Sequence, residues 1–101
     1  MSDRELLEAA AKAAGIEFGW IHDTPRIRAE MGWTPWNPLT DDGDALRLAV
    51  KLELQLDLRH SFHTVRVYGA AEGRIDESGD PYAATRRAIV RAAAEIGRSM
   101  K

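Results

Sequence analysis

The segment from Asp80 to Gly97 constrains the fold more than any other stretch of this chain. Asp80 sets a capping carboxylate ahead of Pro81, whose fixed φ and missing N–H suit the first helical position. Tyr82, Ile89 and Ile96 then recur every seven residues, and Val90 and Ala93 widen the same stripe. A helix with one apolar face must bury that face, so the rest of the chain has to supply a covering layer.

Two further helices are marked. Ser2 and Glu5 have capping-box spacing, and Leu6, Leu7, Ala10 and Ala14 form a stripe that ends at Gly15, a natural left-handed stop. Asp41 or Asp42 caps a second helix that runs through about Leu52, with Ala45, Leu46, Ala49 and Val50 expected to face inward. The strands carry a period of two. Ile16, Phe18 and Trp20 alternate with polar or small residues, and His22-Asp23-Thr24-Pro25 reads as a turn. Arg26 to Met31 is a weaker return strand with Ile27 and Ala29 facing in. Gly32 to Pro38 reads as a rigid aromatic connector, because each proline biases its predecessor toward extended geometry and excludes both helix and central strand. Leu54, Leu56 and Leu58 mark one later strand, Val65 and Val67 another, with Arg59 to His63 closing a hairpin. Ala70 to Gly79 reads as a polar loop.

The expected fold is therefore α+β: one domain over residues 1–101, with a small antiparallel sheet packed against about three helices in the order α-β-(β)-α-β-β-α. Hydrophobic residues make up 45% of the chain, enough for one core and too many for a disordered polymer. There is no cysteine, which excludes disulfides, thiolate nucleophiles and cysteine zinc sites. No apolar run reaches the roughly 18 residues of a bilayer span. The first residues lead into an amphipathic segment rather than a secretory signal, so the expected location is the cytoplasm.

Chemistry is harder to find. Asp41-Asp42-Gly43-Asp44 lacks the alternating oxygen ligands and distal glutamate of a calcium loop, and capping accounts for it. His60 and His63 stand three apart at the expected hairpin turn, with no second metal-binding cluster, and His22 is distant in sequence. Ser61 or Ser78 has no nucleophile-elbow context. Phosphate-loop and dinucleotide glycine patterns are missing, so no cofactor and no metal is expected. The net charge of −2 makes general nucleic-acid binding unfavourable, and no membrane contact is expected. The chain does offer recognition residues. Trp20, Trp33 and Trp36 fall close together, two of them in the Pro-rich connector, where an indole can stack on a base or anchor a partner protein. Packing that closes one end of the core is the competing role. Arg87 and Arg91 are four apart on the last helix, Arg98 follows, and Arg86 sits nearby, a row able to hold phosphate or an acidic surface or simply to face water. Trp33, Trp36, Arg87 and Arg91 are the expected ligand-binding residues.

Two blocks, Trp36 to Leu52 (WNPLTDDGDALRLAVKL) and Asp80 to Gly97 (DPYAATRRAIVRAAAEIG), resemble segments of small hypothetical proteins from tailed bacteriophages and prophages, and Glu5 to Ile16 fits the same pattern. The resemblance thus covers most of the chain. Its layout is similar to the phage α-β-α sandwich domain family and, more loosely, to NinX-like proteins. It implies phage or prophage origin and an accessory role in the infected bacterium, and it transfers no catalytic residues. Where those proteins tend to carry a glycine closing the second helix, this chain has Glu53, which leaves that helix end undefined.

Three functional classes follow. The first is a non-enzymatic binding module that inhibits or sequesters a component of host defence, with a host or phage protein or a phosphorylated nucleotide as ligand. The second is a small hydrolase or nucleotide-processing enzyme using His60, His63 and a carboxylate. The third is a nucleic-acid-associated protein that lays its basic C-terminal helix on phosphates. A homodimer is compatible with each.

Overall fold

The computed structural model describes residues 1–58, 64–70 and 73–100. The elements are α1 (Asp3–Ala14), β1 (Phe18–Ile21), β2 (Thr24–Ala29), β3 (Gly32–Pro35), α2 (Asp42–Lys51), β4 (Gln55–Asp57), β5 (Thr64–Ala70), β6 (Gly73–Ser78) and α3 (Pro81–Ser99). The class is α+β as expected, with three helices, but the strands form two three-stranded antiparallel sheets, β1-β2-β3 and β4-β5-β6.

α3 is the element around which the others assemble. Ala92, Ala93 and Ala94 are consecutive and all buried, and three consecutive helical residues point around more than half of the helix. One apolar stripe cannot do this. α3 is covered by α1, by β5 and β6, and by α2. The row anticipated from Tyr82, Ile89 and Ile96 is therefore only partly correct. Ile89, Val90 and Ala93 are buried as expected, but Tyr82 is 68% exposed, because the buried surface extends instead over Ala84, Ala88, Ala92 and Ala94, which the expected stripe left out.

Those small residues let backbones approach. A Cβ built on Gly97 would overlap the carbonyl oxygen of Ala9 and lie 2.8 Å from its carbon and 3.3 Å from the Ala13 nitrogen. α1 and α3 thus meet main chain to main chain, and Ala10 next to Ala9 and Ala93 one turn before Gly97 are fully buried. At this contact dispersion between closely packed backbones acts in place of large side chains.

Helix ends follow the sequence. In α1 the Ser2 hydroxyl accepts from the Glu5 N–H at 3.2 Å, and the Ser2 N–H donates to the Glu5 carboxylate at 3.2 Å. The Ser2 backbone donor first, and its hydroxyl second, hold the Glu5 carboxyl below the ordinary range. Asp41 accepts from the Asp44 N–H at 2.8 Å and Asp80 from the Ala83 N–H at 2.9 Å, so both carboxylates cap. α1 closes at Gly15 with φ 69°. α2 closes in the same way on Glu53, at φ 55°. The Glu53 N–H donates to the Val50 carbonyl (3.2 Å) and the Leu54 N–H to that of Ala49 (2.9 Å). This is the paired-bond left-handed stop that normally selects glycine.

On α2 the inward set is Ala45, Leu48 and Ala49, whereas Leu46 and Val50 are exposed. Two rows, 45/49 and 46/50, fit the helical period equally well. Leu48 decides between them, because it shares a face with 45 and 49. The connector after Met31 also differs from expectation, since Gly32–Pro35 forms the edge strand β3. β2 begins at Thr24, so the turn is the two residues His22 and Asp23, both at positive φ (51° and 62°), as a type I′ hairpin requires. Pro25 lies in the central strand at the end of its ladder with β3, where its carbonyl accepts from the Trp36 N–H at 3.0 Å.

Finally, residues 73–78 are not loop but strand β6, paired with β5 from Thr64↔Ser78 onward. Only Ile75 is apolar there, and with Glu77 it lies on the half-buried face, so this edge strand lacks a readable alternation. Val65 and Val67 of β5 are buried in the core that α3 shares. The expected hairpin closure at 59–63 lies outside the described residues, although β4 and β5 do pair antiparallel. Among the described residues no helix is long and apolar enough to cross a membrane.

Two stability changes follow. Gly97→Ala should lower unfolding free energy by about 2 kcal/mol in urea titration, the overpacking cost outweighing alanine's helix preference. Unchanged or raised stability would contradict the backbone contact. Glu53→Gly should raise stability by about 1 kcal/mol by relieving the left-handed strain, read from the same midpoint shift at constant m.

Candidate functional site

The first sheet has two chemically different faces. Strand pairing sets Phe18 opposite Ile27, Gly19 opposite Arg26 and Arg28 opposite Trp33. Since side chains alternate, Phe18, Trp20 and Ile27 share the inner face, and Gly19, Arg26, Arg28 and Trp33 share the outer one. Trp33 and Trp36 are an odd number of residues apart in extended chain, so their indoles go to opposite sides.

The inner side is core. Trp36 is 5% exposed, and Phe18 meets it edge-on with ring centroids 5.6 Å apart. Phe18 also meets Trp20 edge-on at 5.3 Å. The Trp20 indole N–H donates to Glu8 at 3.0 Å, and the Arg4 guanidinium lies 3.9 Å from its ring centre. Glu8 and Arg4 tie the sheet to α1, while the aromatic pairs brace the sheet's own inner side, each contributing about 0.5–1.5 kcal/mol.

The outer side holds the exposed indole. Trp33 is 37% exposed, and the distal edge of its ring reaches across β2, so that a Cβ on Gly19 would lie 3.5 Å away. Gly19 thus provides the floor on which the ring rests. The Arg28 guanidinium stands 5.8 Å from the indole centre, while the Arg26 Nε is buried with no hydrogen-bond partner. Beyond Trp33 the β2–β3 hairpin ends at Glu30 and at Met31, which is 98% exposed. An aromatic plane, two guanidiniums and a thioether therefore share one projecting hairpin.

The arginines of α3 lie elsewhere and are engaged. Arg87 pairs with Asp3 at 3.4 Å, which ties α3 to the start of α1. Arg91 pairs with Glu77 at 2.5 Å and reaches the Asp76 carbonyl at 3.4 Å, fastening β6. Arg86 bridges Asp42 (2.6 Å) and the Leu39 carbonyl (2.9 Å), and Arg98 lies 3.8 Å from Glu95. Arg86, Arg87 and Arg91 are thus ties between α3 and its neighbours, while Arg98 pairs within α3. Of the four expected ligand-binding residues, the structure brings none of the tryptophans to the arginines. Trp33 is on the outer sheet face, Trp36 is in the core, and Arg87 and Arg91 are held against carboxylates.

Sequence reasoning missed Arg28, Gly19 and Met31 as members of this surface. The signal for Arg28 was present in its alternation with Ile27 and Ala29. Joining it to Trp33 required β3 to be read as a strand. His60, His63 and Ser61 lie outside the described residues, and His22 sits in the β1–β2 turn. Among the described residues no three histidine or carboxylate side chains group as metal ligands. No family model, curated protein or solved structure matches this chain.

Proposed function

We propose that this chain is a non-enzymatic binding module that docks on a partner protein through its β2–β3 hairpin. Trp33 is the anchor, and Arg28 and Met31 are its flanks. The observation that carries the reading is the exposed Trp33 ring, set over Gly19 and accompanied by Arg28. Tryptophan and arginine dominate the energetic centres of protein interfaces, because each adds large contact area with a directional polar group. Methionine adapts to irregular partner surfaces.

The ion pairs of Arg87 with Asp3 and of Arg91 with Glu77 weigh against a phosphorylated nucleotide as the ligand. A phosphate would have to displace both carboxylates and release the elements they hold. The sequence resemblance to small phage and prophage proteins supports the rest of the proposal, namely a phage-encoded accessory protein acting in the cytoplasm of the infected bacterium on a component of host defence.

Quantitative affinity capture with the full chain tests this. A partner retained by the wild type should bind Trp33→Ala about thirtyfold more weakly, roughly 2 kcal/mol, and Arg28→Ala more weakly too, while circular dichroism stays unchanged. Retention of the same partner by both variants would overturn the proposal. So would a nucleotide affinity that disappears with Arg87→Ala.

A further inference from the structure

The inner side of the first sheet carries a second feature, separate from the Trp33 surface. A cleft of about 310 Å³ lies between this sheet and α2. Ile16, Ile27, Trp36 and Leu48 give it apolar walls, and Thr34, Arg47 and Lys51 reach it from exposed positions. The volume is at the small end of the range for small-molecule sites and too small for a folded partner segment.

The charges around the cleft are unequal in availability. Asp44 is satisfied on both oxygens, one accepting from the Asn37 N–H at 3.0 Å and the other from Arg47 at 2.7 Å. Arg47 is in turn neutralised by Asp44 and, at 3.8 Å, by Asp41. Lys51 has no ion-pair partner among the described residues, although it follows Arg47 by one helical turn on the same face of α2. One uncompensated ammonium therefore stands beside an apolar hollow.

We propose that this cleft binds a small amphipathic carboxylate, its hydrocarbon body against Ile27, Trp36 and Leu48 and its carboxylate at Lys51. The apolar walls supply the affinity and the ammonium selects the charge. A cationic ligand is disfavoured because both Asp44 oxygens are engaged, and a neutral one gains no ion pair with Lys51. This site is independent of hairpin docking, since Trp33 lies on the opposite face of the sheet.

Two-dimensional NMR of the full chain tests it, with octanoate and 3-phenylpropionate as probes and their methyl esters as neutral comparators. Both carboxylates should shift the methyl resonances of Ile16, Ile27 and Leu48 and the Trp36 indole resonance saturably, at millimolar or lower concentration. Binding should weaken about fivefold for the esters and for Lys51→Met, while Lys51→Arg retains it, the size expected of one exposed ion pair. Trp33→Ala should leave it unchanged, which separates this site from the docking surface. No saturable shift up to about 10 mM would overturn the proposal, and so would esters binding as well as acids. Tighter binding of an apolar peptide through its free C-terminus would overturn the assignment to a small molecule.

Discussion

The close approach of α1 and α3 governs this structure. Gly97 meets the backbone of Ala9 with no room for a side chain, and the residues around it are alanines. Alanine contributes little apolar area, so the contact is stabilising only if the two helices are near enough for main-chain atoms to touch. That nearness fixes one side of α3. β5 and β6 then take another side and α2 a third, which explains why consecutive alanines on α3 are all buried.

The arginines of α3 follow from the same arrangement. A helix covered on several sides has its polar residues pointing into the seams between its neighbours rather than into open solvent. There Arg86, Arg87 and Arg91 meet Asp42, Asp3 and Glu77, each carboxylate on a different element. Pairs that stay partly open to solvent contribute about 1 kcal/mol apiece, so they orient elements already brought together by packing. The first sheet is attached differently. Phe18, Trp20 and Trp36 pack edge to face, and Glu8 and Arg4 hold Trp20 from α1. Its outer face and its β2–β3 hairpin are left open, and that is where Trp33 and Arg28 meet.

Much of this was legible in the chain itself. The caps at Ser2, Asp41 and Asp80, the stop at Gly15 and the α+β class all follow from local chemistry that needs no distant partner. What stayed hidden depends on tertiary neighbours. β6 has one apolar residue and is strand because β5 offers it a ladder. The sequence set both rows of α2, 45/49 and 46/50, inward, whereas packing through Leu48 buries only the first. Glu53 sits in a glycine conformation because the helix must turn there; the resemblance expects a glycine at this position, but a glutamate side chain does not itself mark the stop. For the candidate site, the sequence singled out Trp33, whose ring the structure leaves 37% exposed, but placed it in a connector rather than in strand β3. It grouped Trp33 with Trp36 because the two are close in sequence, whereas strand alternation sends them to opposite faces.

Native-state hydrogen exchange measures the central claim most directly. If backbone contact with α1 and burial on the remaining sides make α3 the last element to open, the amides of Ala88 to Ala94 should exchange only through global unfolding, while those of the β2–β3 hairpin exchange through local opening at much lower free energy. Hairpin amides protected as strongly as those of α3, or α3 amides exchanging well before the global transition, would contradict this account.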